Sequence, residues 1–298
     1  MIKGLGTALI TPFQADGRVD YEALARLLDT QLTGFVDYIV VLGTTGEAAT
    51  MTAEEKREVR QFIVDYVKQA ACAKHQPPIP LVLGVGGNNT VAVITELEVM
   101  RAELILDFAA ILSVCPYYNK PNQEGLYQHF CKVAEASPIP VILYNVPGRT
   151  GVNLLPETVM RIYNAYPDKI AGIKEASGNL EQIKHLINLI NAEGNKREAL
   201  HVISGDDGIA CEIMEAGGAG LISVASNAFP EDFWHIVHDK DAALQAKYAE
   251  MVRLLFAEGN PVGIKAVLAQ KGIIQNYLRL PLVPASAELQ AQIQKELA

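Results

Sequence analysis

The sequence predicts an α/β protein: a (β/α)8 TIM barrel followed by a C-terminal helical appendix. Three observations carry this. Eight short, β-rich apolar runs recur along the chain, a longer amphipathic stretch follows each of them, and the strand pattern stops after about Asn227. Strands that alternate with helices form a parallel sheet, because a parallel neighbour is reached only through a crossover, and eight such units suggest closure. The 298 residues fit one barrel plus the appendix, since barrels of about 250 residues fold as single units. The expected division is residues 1–226 for a barrel that carries the active site and 227–298 for a helical region packed on it.

The strand candidates, in order, are Leu5 to Ile10, Tyr38 to Leu42, Ile79 to Leu83, Phe108 to Val114, Pro140 to Tyr144, Ile170 to Ile173, His201 to Ile203 and Gly220 to Val224. Asp16-Gly17 turns the chain after the first. Between the second and third, Thr52 with Glu55 three residues on is a capping box that opens a helix. Gly86-Gly87-Asn88-Asn89 punctuates the third unit. Gly84-Val85-Gly86-Gly87 lacks the glycine spacing and acidic partner of a dinucleotide loop and reads as a tight strand-to-helix turn. Pro156-Glu157 opens the helix after the fifth strand, with proline and an acid in its first turn. From Pro230 onward the sequence reads as three helices and a tail. Phe233, Trp234 and Val237, then Leu244, Tyr248, Met251, Val252 and Leu255, recur at spacings of three and four as a core-facing stripe, and Asn260-Pro261 and Lys271-Gly272 bracket the next helix.

Half of the residues are apolar, a fifth are charged and the formal net charge is −9. That balance argues against nucleic acid, whose binders concentrate Lys and Arg on one face to displace counterions. No apolar run reaches the roughly 18 to 20 residues that cross a bilayer, and the start shows no signal-peptide core, so the expected location is the cytoplasm. Cys72, Cys115, Cys131 and Cys211 are widely spaced, without a CxxC pair, and read as small buried hydrophobes. His235 and His238 share a helix, but no third ligand lies nearby in sequence, and no metal is expected.

In barrel enzymes the chemistry sits where strands end C-terminally and in the loops that follow. The second strand runs into Gly43-Thr44-Thr45-Gly46-Glu47, a turn whose amides and hydroxyls suit a carboxylate, or an ordinary turn. The fourth runs into Cys115-Pro116-Tyr117-Tyr118-Asn119-Lys120-Pro121, where two tyrosines sit between prolines, either for chemistry or for packing. The fifth ends at Tyr144, followed by Asn145-Val146-Pro147-Gly148-Arg149-Thr150. A tyrosine there can pass a proton, and Arg149 can grip a carboxylate with its planar fork, though taken singly each is more often structural. The sixth contains Lys174 between Ile173 and Glu175. Burying an ammonium is unfavourable, so the position implies either a neutral amine able to attack a ketone or a buried salt bridge, for which Glu175 is the candidate. The seventh ends in Ser204-Gly205-Asp206-Asp207, whose carboxylates would repel a phosphate.

Gly43-Thr44-Thr45-Gly46-Glu47, Tyr117-Tyr118-Asn119-Lys120-Pro121, Tyr144 through Thr150 and Gly172-Ile173-Lys174-Glu175, in this order and spacing, resemble the signature of the dihydrodipicolinate synthase and N-acetylneuraminate lyase superfamily. Gly205-Asp206-Asp207, Asn260-Pro261 and Leu278-Arg279-Leu280-Pro281 extend the similarity to the end of the chain. The resemblance implies that Lys174 forms an imine with pyruvate, without any external cofactor, and that Tyr144, Thr44 and Tyr118 relay protons, Tyr118 reaching in from a neighbouring subunit of a homodimer or homotetramer. It gives Thr45 to the pyruvate carboxylate, the backbones of Gly205 and Ile222 to the lining of the site, and Arg149 to the carboxylate of a second substrate, aspartate β-semialdehyde. The doubled threonine, Tyr118 and Arg149 favour condensation to 4-hydroxy-tetrahydrodipicolinate, in diaminopimelate and lysine biosynthesis, over the alternative: cleavage of sialic acid or of a 2-keto-3-deoxy sugar acid. Ala48, Ala53 and Lys56 depart from the pattern of lysine-inhibited members, so weak or absent feedback by lysine is expected even though Asn88 and Tyr117 remain.

Overall fold

The structure, a computed structural model, describes residues 2–33, 35–101, 107–192 and 200–298. Its eight parallel strands close into a barrel in sequence order. They are β1 (Gly4–Ala8), β2 (Tyr38–Val41), β3 (Leu81–Gly84), β4 (Ala110–Val114), β5 (Val141–Asn145), β6 (Ile170–Glu175), β7 (His201–Ser204) and β8 (Gly220–Ser223). Every expected strand is present, with ends shifted by a few residues.

The helices between them are α1 (Tyr21–Gln31), α2 (Ala53–Ala73), α3 (Thr90–Arg101), α4 (Gln123–Ala136), the single turn α5 (Pro147–Thr150), α6 (Pro156–Ala165), α7 (Leu180–Ala192) and α8 (Ala210–Glu215). Their starts follow from local chemistry. Thr52 Oγ1 accepts from the Glu55 amide and Glu55 Oε2 accepts from the Thr52 amide, so two otherwise orphaned N–H groups of α2 are satisfied reciprocally. Asp20 and Asn122 cap α1 and α4 in the same way with one bond each, while Pro156 opens α6 with its φ already helical.

The chain divides into two compact units. One holds the stretch up to Gly4 and Pro80–Ile222. In it β3 to β8 pair with their sequence neighbours, and the β5–β6 register aligns Tyr144 with Lys174 and Asn145 with Glu175. The other holds Leu5–Ile79 and Ser223–Ala298. Here β1 pairs with β2, Gly6 opposite Tyr38. Asn227 ties the C-terminal segment to β1, donating to the Ala8 carbonyl (2.8 Å) and accepting from the Ile10 amide (3.1 Å). Thr7 adds buried bonds to Gln31 and Ser226.

Two expectations are corrected. The segment after Pro230 forms five helices among the described residues, not three: α9 (Pro230–His238), α10 (Ala242–Lys247), α11 (Ala249–Phe256), α12 (Val262–Gln270) and α13 (Ala287–Leu297). Lys240, at φ 55°, and the cap Asp241 break the first amphipathic run, Tyr248 separates α10 from α11, and the expected tail contains α13, started by the Ser286 cap. Among the cysteines, Cys115, Cys131 and Cys211 are buried, but Cys72 is exposed near the end of α2.

Candidate active site

Lys174 lies on β6, one residue from its C-terminal end, and is buried, with 6% of its surface exposed. Its Nζ sits 4.4 Å from the centre of the Tyr144 ring, on the neighbouring strand in register. A cation over an aromatic face is stabilised when other solvation is removed. Tyr144 is itself buried, so its ring and the amine meet in a low-dielectric environment rather than in bulk water.

The salt-bridge alternative for Lys174 does not hold, because Glu175 points to other partners. Its carboxylate accepts from Asn145 Nδ2 at 3.0 and 3.1 Å, from the Ser177 amide at 2.9 Å and from Gln182 Nε2 at 3.3 Å. Successive strand residues face opposite ways, so the register that sets Lys174 beside Tyr144 sets Glu175 beside Asn145 on the reverse side. Burial raises the Glu175 carboxyl above the usual range, and hydrogen bonds from Asn145, Ser177 and Gln182 oppose that shift. Asn145 also accepts from the Leu154 amide at 2.9 Å and donates to Asn153 at 2.8 Å, so the same buried amide anchors the loop after β5.

That loop carries Arg149, in α5, on the exposed surface. Thr150 fastens its far end, donating to the carbonyls of Val146 and Val152, while its own carbonyl accepts from the Tyr118 amide. Tyr118 is 87% exposed and stands at φ 74°, a left-handed conformation that a bulky residue adopts only when its surroundings impose it. Tyr117 beside it is also exposed, and Asn119 secures the loop by donating to the Asn88 carbonyl at 2.8 Å. Gly205, after β7, donates to the Glu175 carbonyl at 2.8 Å. A Cβ at Gly205 would lie 2.9 Å from Lys174 Cε and 2.6 Å from the Ala176 side chain, so only glycine lets the lysine stem lie across this backbone. Ile222 is buried on β8, and Asp206 caps the short turn that follows β7.

In the second unit, Gly43 through Glu47 follows β2 as a single 3₁₀ turn, closed by the Gly46 and Glu47 amides on the carbonyls of Gly43 and Thr44. Thr44 is exposed and Thr45 is buried. Thr11 clamps the turn by donating to the Gly46 carbonyl at 2.8 Å. Thr45 Oγ1 accepts from Asn260 Nδ2 at 3.0 Å. Glu47, at φ 52°, forms a fully buried ion pair with Lys265 of α12. Burial pulls the Lys265 amine down to about 8, and the attraction of Glu47 opposes that fall.

Asn145, Asn260, Lys265 and Arg279 were not among the site residues expected from sequence. In the sequence Asn260-Pro261 marks a helix boundary and, like Arg279, belongs to a motif of the family resemblance, while Lys265 sits in a run, Val262 to Leu268, that is otherwise apolar or small. A lone lysine inside such a run was the available signal. His235 and His238 bond to separate carboxylates, Asp239 at 2.6 Å and Asp37 at 2.7 Å. A cavity of about 280 Å³, lined among others by Lys3, His201 and Ala219, lies where β7 and β8 begin and contains none of the candidate catalytic side chains. No described helix is long and apolar enough to cross a membrane.

The model of the dihydrodipicolinate synthetase family matches residues 1–298. Among curated relatives, the 4-hydroxy-tetrahydrodipicolinate synthase of Azobacteroides pseudotrichonymphae is 45% identical over 304 residues, covering 100% of this chain and 97% of the relative. That of Parabacteroides distasonis is 47% identical over 290 residues, covering 95% and 92%. Among solved structures, the dihydrodipicolinate synthase of Thermotoga maritima is 37% identical with a TM-score of 0.89, covering 100% of this chain and 98% of the other. A chloride-inhibited synthase from Acinetobacter baumannii, solved in complex with pyruvate, is 36% identical with a TM-score of 0.89 and the same coverage.

Proposed function

The chain belongs to the dihydrodipicolinate synthetase family, and from that membership we propose that it condenses pyruvate with aspartate β-semialdehyde to 4-hydroxy-tetrahydrodipicolinate, a lyase-class reaction of diaminopimelate and lysine biosynthesis. The curated relatives named above are synthases rather than sugar-acid lyases, which favours condensation over cleavage.

Lys174 supplies the nucleophile. Its neutral amine attacks the C2 carbonyl of pyruvate, and loss of water leaves an imine that, once protonated, is a stronger electron sink than the ketone. A proton then leaves C3 of the pyruvate methyl group, and the resulting enamine carbon attacks the aldehyde carbon of the second substrate. Tyr144 carries protons in these steps, with Thr44 and Tyr118 as the other members of the relay that the family resemblance assigns. Thr45 holds the pyruvate carboxylate, the backbones of Gly205 and Ile222 line the site, and Arg149 binds the carboxylate of the semialdehyde with its fork of donors. The imine makes an external cofactor unnecessary, since the electron sink is made from the substrate itself. The site is carried by a barrel of residues 1–226, with 227–298 its helical extension, and the enzyme works in the cytoplasm.

Tyr118 supports a homo-oligomer, dimer or tetramer. A tyrosine almost wholly exposed on a loop pinned by Thr150 and Asn119 is poised to insert into a second copy of the chain. The observation that carries the reading is the buried Lys174 amine over Tyr144, with Glu175 engaged elsewhere. Mass spectrometry after borohydride reduction in the presence of pyruvate tests it. The expected result is one reduced adduct on the intact chain, mapping to Lys174, and none on Lys174→Ala. An adduct of equal yield on the variant would refute the assignment.

A further inference from the structure

A hydroxyl has one proton and two lone pairs, so what its neighbours donate or accept decides where that proton goes. Thr45 Oγ1 receives an N–H from Asn260 at 3.0 Å, and both side chains are buried, at 2% and 7% exposure. A donor on the lone-pair side leaves the Thr45 proton available for an acceptor. Were position 260 a carboxylate, the proton would be consumed there and a substrate carboxylate would meet an oxygen that has nothing to give.

The frame around this pair comes from the same C-terminal segment. Asn260 precedes α12, and α12 carries Lys265, whose ammonium pairs with Glu47 two residues beyond Thr45. Lys265 also donates to the Tyr277 carbonyl at 3.0 Å and lies 4.2 Å from the centre of the Phe13 ring. The second Glu47 oxygen accepts from the Arg279 amide at 3.1 Å. An ion pair with both partners at 0–1% side-chain exposure contributes little net stability, because desolvation offsets the attraction, but it allows only one placement of the groups it joins. The turn is thus held at Thr45 by Asn260 and at Glu47 by Lys265 and Arg279.

We propose that Asn260 is a positioning residue for substrate binding: it turns the Thr45 hydroxyl into an obligate donor toward the carboxylate of the 2-oxo acid, within a turn framed by the Lys265–Glu47 pair. This rests on the reading of Thr45 as the residue that holds that carboxylate.

Steady-state kinetics of the full chain with pyruvate and aspartate β-semialdehyde tests it. Asn260→Ala should raise the KM for pyruvate about tenfold, the equivalent of one net hydrogen bond, while kcat and the KM for the semialdehyde hold within about twofold. Asn260→Asp, which keeps the shape but offers only acceptors, should raise it further; if that variant does not fold, Asn260→Ala decides alone. Thr45→Val should raise the same KM, and adding Asn260→Ala to it should change nothing more, because the two residues act through one hydroxyl. A purely structural role would lower kcat and disturb both KM values together, and its effect would add to that of Thr45→Val. Either that additivity, or an unchanged pyruvate KM in Asn260→Ala beside a raised one in Thr45→Val, overturns the inference alone. An unchanged KM in Thr45→Val removes the carboxylate assignment itself, and the inference with it.

Discussion

At the scale of single residues, the lysine depends on a glycine that does no chemistry. Lys174 can lie beside Tyr144 because Gly205 leaves its stem a path, and a methyl group there would press on both Lys174 Cε and Ala176. Gly205→Ala is therefore expected to displace the amine while leaving the fold intact. Misplacement of a reacting atom by about 1 Å is worth on the order of a hundredfold in rate, so kcat/KM should fall by at least about tenfold and the borohydride-trapped adduct should accumulate more slowly. Rates and melting temperature measured together separate the two effects; an unaltered rate would show that the lysine has another path. Lys174 stood out in the sequence because a lysine on a buried strand needs a reason, whereas the roles proposed for Tyr144, Thr45 and Arg149 came from the family resemblance. Their supports were not legible. Glu175 was legible only as a possible partner of Lys174, and Asn145 not at all, because their pairing depends on the β5–β6 register, which joins residues 30 apart in sequence.

At the scale of elements, helix starts were readable because a cap is local chemistry, whereas the stretch between α12 and α13 offered only the motif Leu278-Arg279-Leu280-Pro281, which does not reveal its partners. That stretch has no regular structure, and one of its side chains makes most of its long-range bonds. The Arg279 guanidinium donates to the Gly17 carbonyl at 2.6 and 2.9 Å, to the Thr50 carbonyl at 3.1 Å and to both Glu55 oxygens at 2.5 and 2.9 Å. Glu55 is also the capping-box residue of α2, so one carboxylate serves a helix start and a long-range clamp. Bonding to Arg279 is the largest cause that lowers its carboxyl from 4.5 to about 2. A lowered carboxylate contributes stability that is fully present above the unfolded value and is lost as pH falls through the folded one. Arg279→Gln should accordingly lower the urea midpoint at pH 7 and shrink its decline between pH 4.5 and 2. Parallel curves for the two proteins across that window would show that the clamp contributes nothing through Glu55. The same logic explains the miscounted helices: the Lys240 turn and the Tyr248 junction interrupt a hydrophobic stripe that runs through both, and periodicity does not register a break that keeps its phase.

At the scale of the whole molecule, the barrel was legible because eight repetitions of one pattern leave few alternatives, but its response to acid is set by groups that repetition does not reveal. His129 and His201 are buried at 4% and 5% exposure. His129 bonds through Nδ1 to Thr90 Oγ1 at 2.9 Å. Burial lowers each imidazole from 6.5 to about 4, with Lys3 adding to the effect at His201. Both are therefore neutral in the folded protein across a range where the unfolded chain would protonate them. The unfolded state then binds more protons between pH 6.5 and 4, and folding stability must fall as pH falls through that window. A depression of this size corresponds to roughly 3 kcal/mol per histidine at most. Glu175 acts the other way, because its raised carboxyl binds a proton in the folded state first, and it offsets part of the loss near its own titration. The expected observation is a melting temperature that declines steadily from pH 7 to 4, beginning above the range in which Glu55 acts. The double variant His129→Gln, His201→Gln, with side chains that do not titrate, should be less stable at pH 7 yet nearly flat over that interval. A decline of the same steepness in the double variant would place the acid sensitivity elsewhere.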